Sequence, residues 1–126
     1  MRYESRESLP EGWEEGVLRY CEIFGIHFDG RGPEGAVLDS TFEACSWYWS
    51  LFNTANFVGV NFRRCEFSGV SFAGCRFVEC TFEDCQFTED SFGKPCRFKE
   101  NRWYRCQFVR TDKPVALIAE ITSLEP

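Results

Sequence analysis

The sequence predicts an all-β fold, a solenoid whose chain turns a corner once every five residues. Three observations predict it. Aromatic residues recur at a constant step of five, and a small or short side chain stands two positions before each of them. The chain also carries 14 Phe and 8 Cys in 126 residues but only 1 Met and 1 His, a composition in which one repeated unit dominates a chain of single-domain length. The aromatics fall at Phe42, Trp47, Phe52, Phe57, Phe62, Phe67, Phe72, Phe77, Phe82, Phe87 and Phe92. One extra residue enters at Gly93-Lys94-Pro95, and the beat resumes at Phe98, Trp103 and Phe108, which gives 14 pentads. The small positions are Ser40, Cys45, Ser50, Ala55, Val60, Cys65, Val70, Cys75, Cys80 and Cys85, then Asp90, Cys96, Asn101 and Cys106.

A step of five suits neither regular element. On a helix, residues five apart lie about 140° apart, which would spread the aromatics around every side. On a single strand, an odd step sends successive aromatics to opposite faces. All of them face inward only if each pentad is a short extended piece with two inward residues, i−2 and i, followed by a corner. Neighbouring coils then pair like strands, about 4.8 Å apart. The interior is expected to be a stack of rings, each burying roughly 150–250 Å².

Pentads such as CTFED, CQFTE, VSFAG and ANFVG resemble the pentapeptide-repeat family, whose motif places a small residue at i−2 and Phe or Leu at i. The resemblance covers residues 35–110. It implies a right-handed quadrilateral β-helix with four pentads per coil. This chain departs from the family in its bias to Phe at the centres and in Cys where Ala is usual. Trp13, Leu18, Ile23 and Phe28 are also five apart, so the solenoid is expected to begin earlier. A loop at RGPE then inserts four residues before Val37, for 19 pentads and nearly five coils. The expected organisation is one domain over 1–126: an N-terminal cap over 1–12, an irregular first coil over 13–34, regular repeats over 35–110 and a C-terminal cap over 111–126. Asp112 as helix N-cap, Pro114 in the first turn and Val115, Ile118, Ile121 and Leu124 at helical spacing predict that the last segment is helical. In the quinolone-resistance branch of the family a C-terminal helix makes a dimer, so this segment either caps the last coil or joins two copies in a homodimer.

Four pentads per coil also predict columns. Cys21, Cys45, Cys65, Cys85 and Cys106 would stack along one inner wall as small buried hydrophobes. Cys75, Cys80 and Cys85 fall on three different walls, so they make no tetrahedral metal site. Among outward residues, Arg19, Glu43, Arg63 and Glu83 would form a column of alternating sign, with Arg64, Asp84 and Arg105 beside it. A second face would carry an acidic rail of Asp39, Glu79 and Glu100 in line with Gly59, with Glu15 above. Beside it would run the apolar Leu38, Val58 and Val78, with Arg76 and Arg97 on the same face. Tyr48 and Trp49 point outward with Leu51 just past the corner. Phe24 and His27 are placed one coil above them, and residues 1–12 are a candidate cover.

These features bound the function. The formal net charge of −6 and a pI near 4.8 oppose direct nucleic-acid binding. No apolar run approaches the roughly 20 residues of a membrane span, and the acidic N-terminus is unlike a targeting peptide. The expected location is therefore the cytoplasm. An interior filled with Phe, a single His and no phosphate loop or hydrolase motif argue against catalysis, and no cofactor or metal is expected. Two readings remain. In one, the solenoid engages and blocks or scaffolds another protein, as an inhibitor, immunity or adaptor type, through Tyr48, Trp49, Leu51, Asp39, Val58, Val78, Glu79 and Glu100. The other follows from the resemblance: a mimic of duplex DNA that occupies the DNA site of gyrase or another topoisomerase. Residues 1–39 carry a net −5, residues 40–110 a net +1 and residues 111–126 a net −2. The acidity is terminal, whereas a mimic needs a negative body, since duplex DNA presents one charge per roughly 1.7 Å.

Overall fold

Each pentad places its centre between two outward residues, and these triplets are the strands. In the computed structural model, which describes residues 1–30 and 32–123, three-residue strands recur with a buried centre and more exposed flanks. The strands pair in parallel with the coils before and after, on four faces. The first face holds Val17–Arg19, Ala36–Leu38, Asn56–Val58, Arg76–Val78 and Arg102–Tyr104. The second holds Arg2–Tyr3, Glu22–Phe24, Thr41–Glu43, Asn61–Arg63, Thr81–Glu83 and Gln107–Val109. The third holds Ser46–Tyr48, Glu66–Ser68 and Gln86–Thr88, and the fourth Leu51–Asn53, Ser71–Ala73 and Arg97–Lys99. The result is a parallel four-sided β-solenoid of just over four turns, with a short C-terminal helix.

The corners explain the step of five. Position i+2 adopts the left-handed backbone, with φ from 47° to 58° at Tyr20, Asp39, Ala44, Trp49, Thr54, Arg64, Glu79, Asp84, Glu100, Arg105 and Arg110. Its N–H donates to the next coil, as from Asp39 to the Val58 carbonyl at 2.9 Å. The N–H of i−1 donates to the preceding coil, as from Asn61 to Ser40 at 3.0 Å. Bending thus keeps the i+2 and i−1 N–H groups of the inner coils paired between coils. The cost is conformational, about 1–2 kcal/mol for each L-residue held there. It is greatest in kind at Thr54, a β-branched residue at φ 53°.

Inside, the rings stack in four columns. On the second face Phe42, Phe62, Phe82 and Phe108 follow one another at 5.3, 4.7 and 5.0 Å between centroids, with planes within 8°. On the third, Phe28, Trp47, Phe67 and Phe87 repeat at 5.1, 4.9 and 5.0 Å. Phe57, Phe77 and Trp103 fill the first, and Phe52, Phe72 and Phe98 the fourth. Phe92 departs from the predicted pattern. It lies in a turn, 72% exposed, and Phe98 pairs with Phe72 in its stead. The reason lies two residues earlier. Asp90 would have pointed inward beneath Val70, and an unpaired carboxylate in an apolar interior is costly. The whole pentad is excluded as a loop over residues 89–96, and Cys96 takes the inward place.

That exclusion moves every later strand by one face relative to expectation. Cys106 stacks under Cys80, and Cys21 lies against Ser40, whose hydroxyl accepts its N–H at 3.0 Å. The predicted five-cysteine column is therefore only Cys45, Cys65 and Cys85. Glu100 sits on the fourth face and Arg105 on the first, below Glu79. Arg19 pairs with Leu38 rather than joining the charged column. Glu43, Arg63 and Glu83 do stand in register. Arg63 lies 3.5 Å from Glu83 and 4.0 Å from Glu43, Arg64 bonds Glu43, and Arg110, in the place expected for Arg105, reaches Glu83 and Asp84 at 2.7 Å.

The ends are closed. Leu18, Ile23 and Phe28 extend the columns of Val37, Phe42 and Trp47. Trp13 is not a repeat centre: it lies in a turn with its ring 5.2 Å from Phe28, beside buried Leu9, and Glu15 belongs to the same turn. Arg2–Tyr3 adds a strand over Ile23. At the other end the helix Val115–Ser123 packs on Arg97–Lys99. It starts later than an Asp112 cap would place it, and its buried ridge differs from the predicted one. Leu117 is fully buried while Val115 is 85% and Ile118 45% exposed, and Leu124 lies outside the described residues. Ile121 is half-buried. Glu120 accepts from Trp103 Nε1 at 2.7 Å and Asn101 Nδ2 at 2.9 Å, which satisfies the polar atoms that the open last coil leaves.

Three outcomes test this architecture. Phe72→Ala should lose about 3–5 kcal/mol in chemical denaturation, whereas Phe92→Ala should change stability by less than about 0.5 kcal/mol. Equal losses would return Phe92 to the core. Thr54→Gly should raise stability by about 0.5–1 kcal/mol by relieving the left-handed corner, and a lower unfolding midpoint would contradict that account. Asp84 is held below its ordinary 3.8 chiefly by its hydrogen bonds from Arg110. Its pairing therefore contributes above the ordinary carboxylate value and is lost as pH falls through the depressed one. An NMR titration of Asp84 should move up in Arg110→Ala, and an unmoved titration would remove that pair from the ladder.

Candidate functional site

Most of the inward i−2 side chains that carry a donor share one task. Cys65 Sγ donates to the Phe42 carbonyl at 3.2 Å, Cys75 to Phe52 at 3.1 Å, Cys85 to Phe62 at 3.1 Å and Cys96 to Phe67 at 3.1 Å. Ser50 and Thr111 hydroxyls and the Asn101 amide make the equivalent bonds to Phe28, Phe82 and Phe72. Burial pushes the Cys75 thiol up to about 11, so it stays a protonated donor. All eight cysteines are free thiols, and among the described residues no three His, Cys, Asp or Glu converge as a metal site. The cysteines are structural: small enough for the corner, and able to donate a weak bond there.

The excluded pentad builds the feature of this surface with the most specific contacts. Asp90 organises the loop. Its Oδ1 accepts from the N–H groups of Phe92 at 2.8 Å and Lys94 at 2.9 Å, and its Oδ2 from Trp49 Nε1 at 2.7 Å. Partial burial works to raise its pKa, but these donors win and the carboxyl lies below its ordinary value. Tyr48 Oη accepts from the Ser91 N–H at 2.9 Å and donates to its hydroxyl at 2.5 Å. The Phe92 ring stacks on Trp49 at 5.5 Å and 13°, and Trp49 stacks on Tyr48 at 5.3 Å. Gly69 permits the close approach: a Cβ there would stand 2.7 Å from Asp90 Cβ. The loop is thus fixed by two side chains of the wall, Tyr48 and Trp49, and by a glycine that makes room for it.

The predicted residues distribute as follows. Tyr48, Trp49 and Leu51 gather at this corner between the third and fourth faces. Trp49 and Leu51 are 51% and 47% exposed, and loop 89–96, not residues 1–12, covers Tyr48. Phe24 lies on the second face above Glu43, and His27 sits above Ser46, its Nδ1 2.6 Å from the hydroxyl. Asp39, Val58, Val78 and Glu79 share the first face, with Leu38 above and Tyr104 below the valines. The third acid of the rail is missing there, since Glu100 stands on the fourth face and Arg105 follows Glu79. Asp90, Phe92, Lys94 and Arg97 escaped the reading of the sequence as surface-site residues. The signal that finds them is Asp90 itself, a charge at an inward position, followed by Gly93 and Pro95.

Residues 52–89 match the sequence model for pentapeptide repeats, in eight copies. No curated protein matches the chain in sequence. Among solved structures, a trypsin-treated form of QnrB1, a plasmid-mediated fluoroquinolone resistance protein, is 15% identical with a TM-score of 0.32, over 87% of this chain and 65% of that one. This chain therefore spans just under two thirds of that relative. A second trypsin-treated form is 14% identical with a TM-score of 0.33, over 88% of this chain and 68% of the other. Full-length QnrB1 is 10% identical with a TM-score of 0.29, over 96% and 89%. The five-residue step and the eight matched copies agree: residues 52–89 of this chain are pentapeptide repeats, and the four-faced coil continues on either side of them.

Proposed function

We propose that this solenoid is a non-catalytic binding module that engages another protein and blocks or scaffolds it, as inhibitor, immunity or adaptor proteins do. The observation that carries the reading is the Trp49–Phe92 pair. Two large rings are held half or more in solvent by a set of directed bonds, in a chain whose other repeat aromatics are turned inward. Exposed aromatics on a rigid wall lose little entropy on contact, which is why Trp and Tyr recur in interface hot spots. The first face adds a second apolar strip, with Val58 37% and Tyr104 54% exposed, and Asp39 and Glu79 at its edge. Among the described residues no helix is long and apolar enough to cross a membrane.

The alternative drawn from the family, imitation of duplex DNA, has less support on this surface. Its acidic rail shrinks to Asp39 and Glu79 around Gly59, and Arg105 stands where a further negative charge would be needed.

The decisive measurement is affinity-capture of the partner followed by calorimetry on variants. Trp49→Ala and Phe92→Ala should each weaken the complex by about 2 kcal/mol or more while the unfolding midpoint holds. Gly69→Ala should weaken it too, by pushing the loop off the wall. Unchanged affinity in all three variants would remove this corner from the interface.

A further inference from the structure

Two groups of cations contrast on this surface. Arg63, Arg64 and Arg110 are paired in the charge ladder of the second face. Lys94, Arg97 and Lys99, with Arg76 and Arg102 around the corner on the first face, form no ion pair among the described residues. Near them stand the carboxylates Glu79 and Glu100, and Asp90 lies beside Lys94. A chain with a formal net charge of −6 thus gathers these five cations on one side.

Two of these cations belong to a groove of about 380 Å³ between loop 89–96 and the fourth face, a volume within the range of binding clefts, about 300–1,000 Å³. Its floor is Leu51, Ser71 and Arg97, in register on consecutive coils. Trp49 and Phe92 wall one side, and Lys94 and Pro95 continue that wall. Asp90 also lines it, but both of its oxygens are occupied by Trp49 and by its own loop. The floor therefore runs from apolar at Leu51, through a hydroxyl, to cationic at Arg97. Two coil steps separate these ends, about 10 Å, which is the reach of about three extended residues.

Resting on the protein-binding reading above, we infer that this groove receives an extended segment of the partner bearing an apolar side chain and a carboxylate about three residues apart. The apolar group lies on Leu51 against the Trp49–Phe92 wall. The carboxylate meets Lys94 and Arg97, which pair with it directly. A single-stranded nucleic acid also seeks aromatics beside cations. However, the negative field of the whole chain repels a polyphosphate far more than a peptide with one or two carboxylates.

The test is selection of glycine-flanked linear peptides from a random display library on the full chain, followed by affinity measurement of the selected peptides. The selected sequences should share an apolar residue with Asp or Glu two to four positions away. Arg97→Glu and Lys94→Glu should each weaken them by about tenfold or more. Lys99→Glu, on the same face outside the groove, should change affinity less than about twofold. All these side chains are exposed, and circular dichroism checks that the variants fold. Selected peptides lacking a carboxylate, indifference to Arg97→Glu, an empty selection, or displacement by oligodeoxythymidine would each overturn the inference. The captured partner separates the two readings. If it still binds the Lys94→Glu/Arg97→Glu double variant but not Trp49→Ala, the groove chemistry is wrong and the interface stands. If it binds Trp49→Ala, Phe92→Ala and Gly69→Ala unchanged, the interface itself is misplaced.

Discussion

One spacing governs this protein. Parallel coils repeat at about 4.8 Å because their backbones are hydrogen-bonded, and aromatic rings in offset stacks are comfortable at nearly that distance between centroids. The observed separations, 4.7 Å for Phe62–Phe82 and 4.8 Å for Phe57–Phe77, show both demands met by one translation. Most ring pairs along a column follow the backbone ladder nearly parallel, while Phe52–Phe72 tilts by 59° and Phe77–Trp103 closes to 4.1 Å. The interior can therefore use the same residue type at almost every centre, where an ordinary core must alternate shapes to fill space. Of the two tryptophans within the columns, Trp47 illustrates the limit. Its larger ring keeps the stack, within 2° of Phe67, but its Nε1 is buried without a hydrogen-bond partner, and an orphaned donor costs about 1–3 kcal/mol.

The corners complete that constraint. Four rings around the axis leave room at i−2 only for a small side chain, and the carbonyl of a ring centre in the preceding coil points into that space. Alanine would fill it without a bond. Cysteine, serine, threonine and asparagine fill it and donate. The bias to cysteine thus follows from packing with hydrogen bonding, and it needs neither a metal nor a disulfide. The same logic explains why Asn101 is accepted inside and Asp90 is not. The Asn101 amide donates to Phe72 and Glu120 while its oxygen accepts from the Cys75 N–H. A carboxylate has no proton to donate to a carbonyl.

Periodicity made the strands and the inward rings legible, because a step of five has one economical solution, and the four faces followed from the resemblance to pentapeptide repeats. Lateral position was less legible, because it depends on counting coils, and one excluded pentad shifts the count. Glu100, Arg105 and Cys106 were therefore assigned to the wrong faces, although each was correctly read as outward or inward within its own pentad. Counting through the RGPE segment misplaced Cys21 in the same way. The C-terminal helix was legible as an element but not in its phase. Val115 and Ile118 suit a helical stripe, yet the aperture of the last coil is filled by Leu117, and Glu120 turns toward Trp103 and Asn101. Which ridge faces the solenoid is decided by polar atoms of the final coil that no local pattern of the helix encodes.

The candidate site and the defect in the repeat are the same object. A regular solenoid wall is nearly flat, and every coil presents similar outward rows, so regularity gives rigidity but little to recognise. Excluding one pentad removes that uniformity at a single corner. It places Phe92 outside, creates a wall beside the fourth face, and exposes Lys94 and Arg97 beside an Asp90 whose oxygens are already bonded. The repeat itself then holds the irregular segment, through Trp49 and Tyr48 from one coil and Gly69 from the next. Loops held by a rigid scaffold are where binding residues concentrate. Here the scaffold's intolerance of Asp90 in its interior both forces the loop outward and supplies the carboxylate that ties it down.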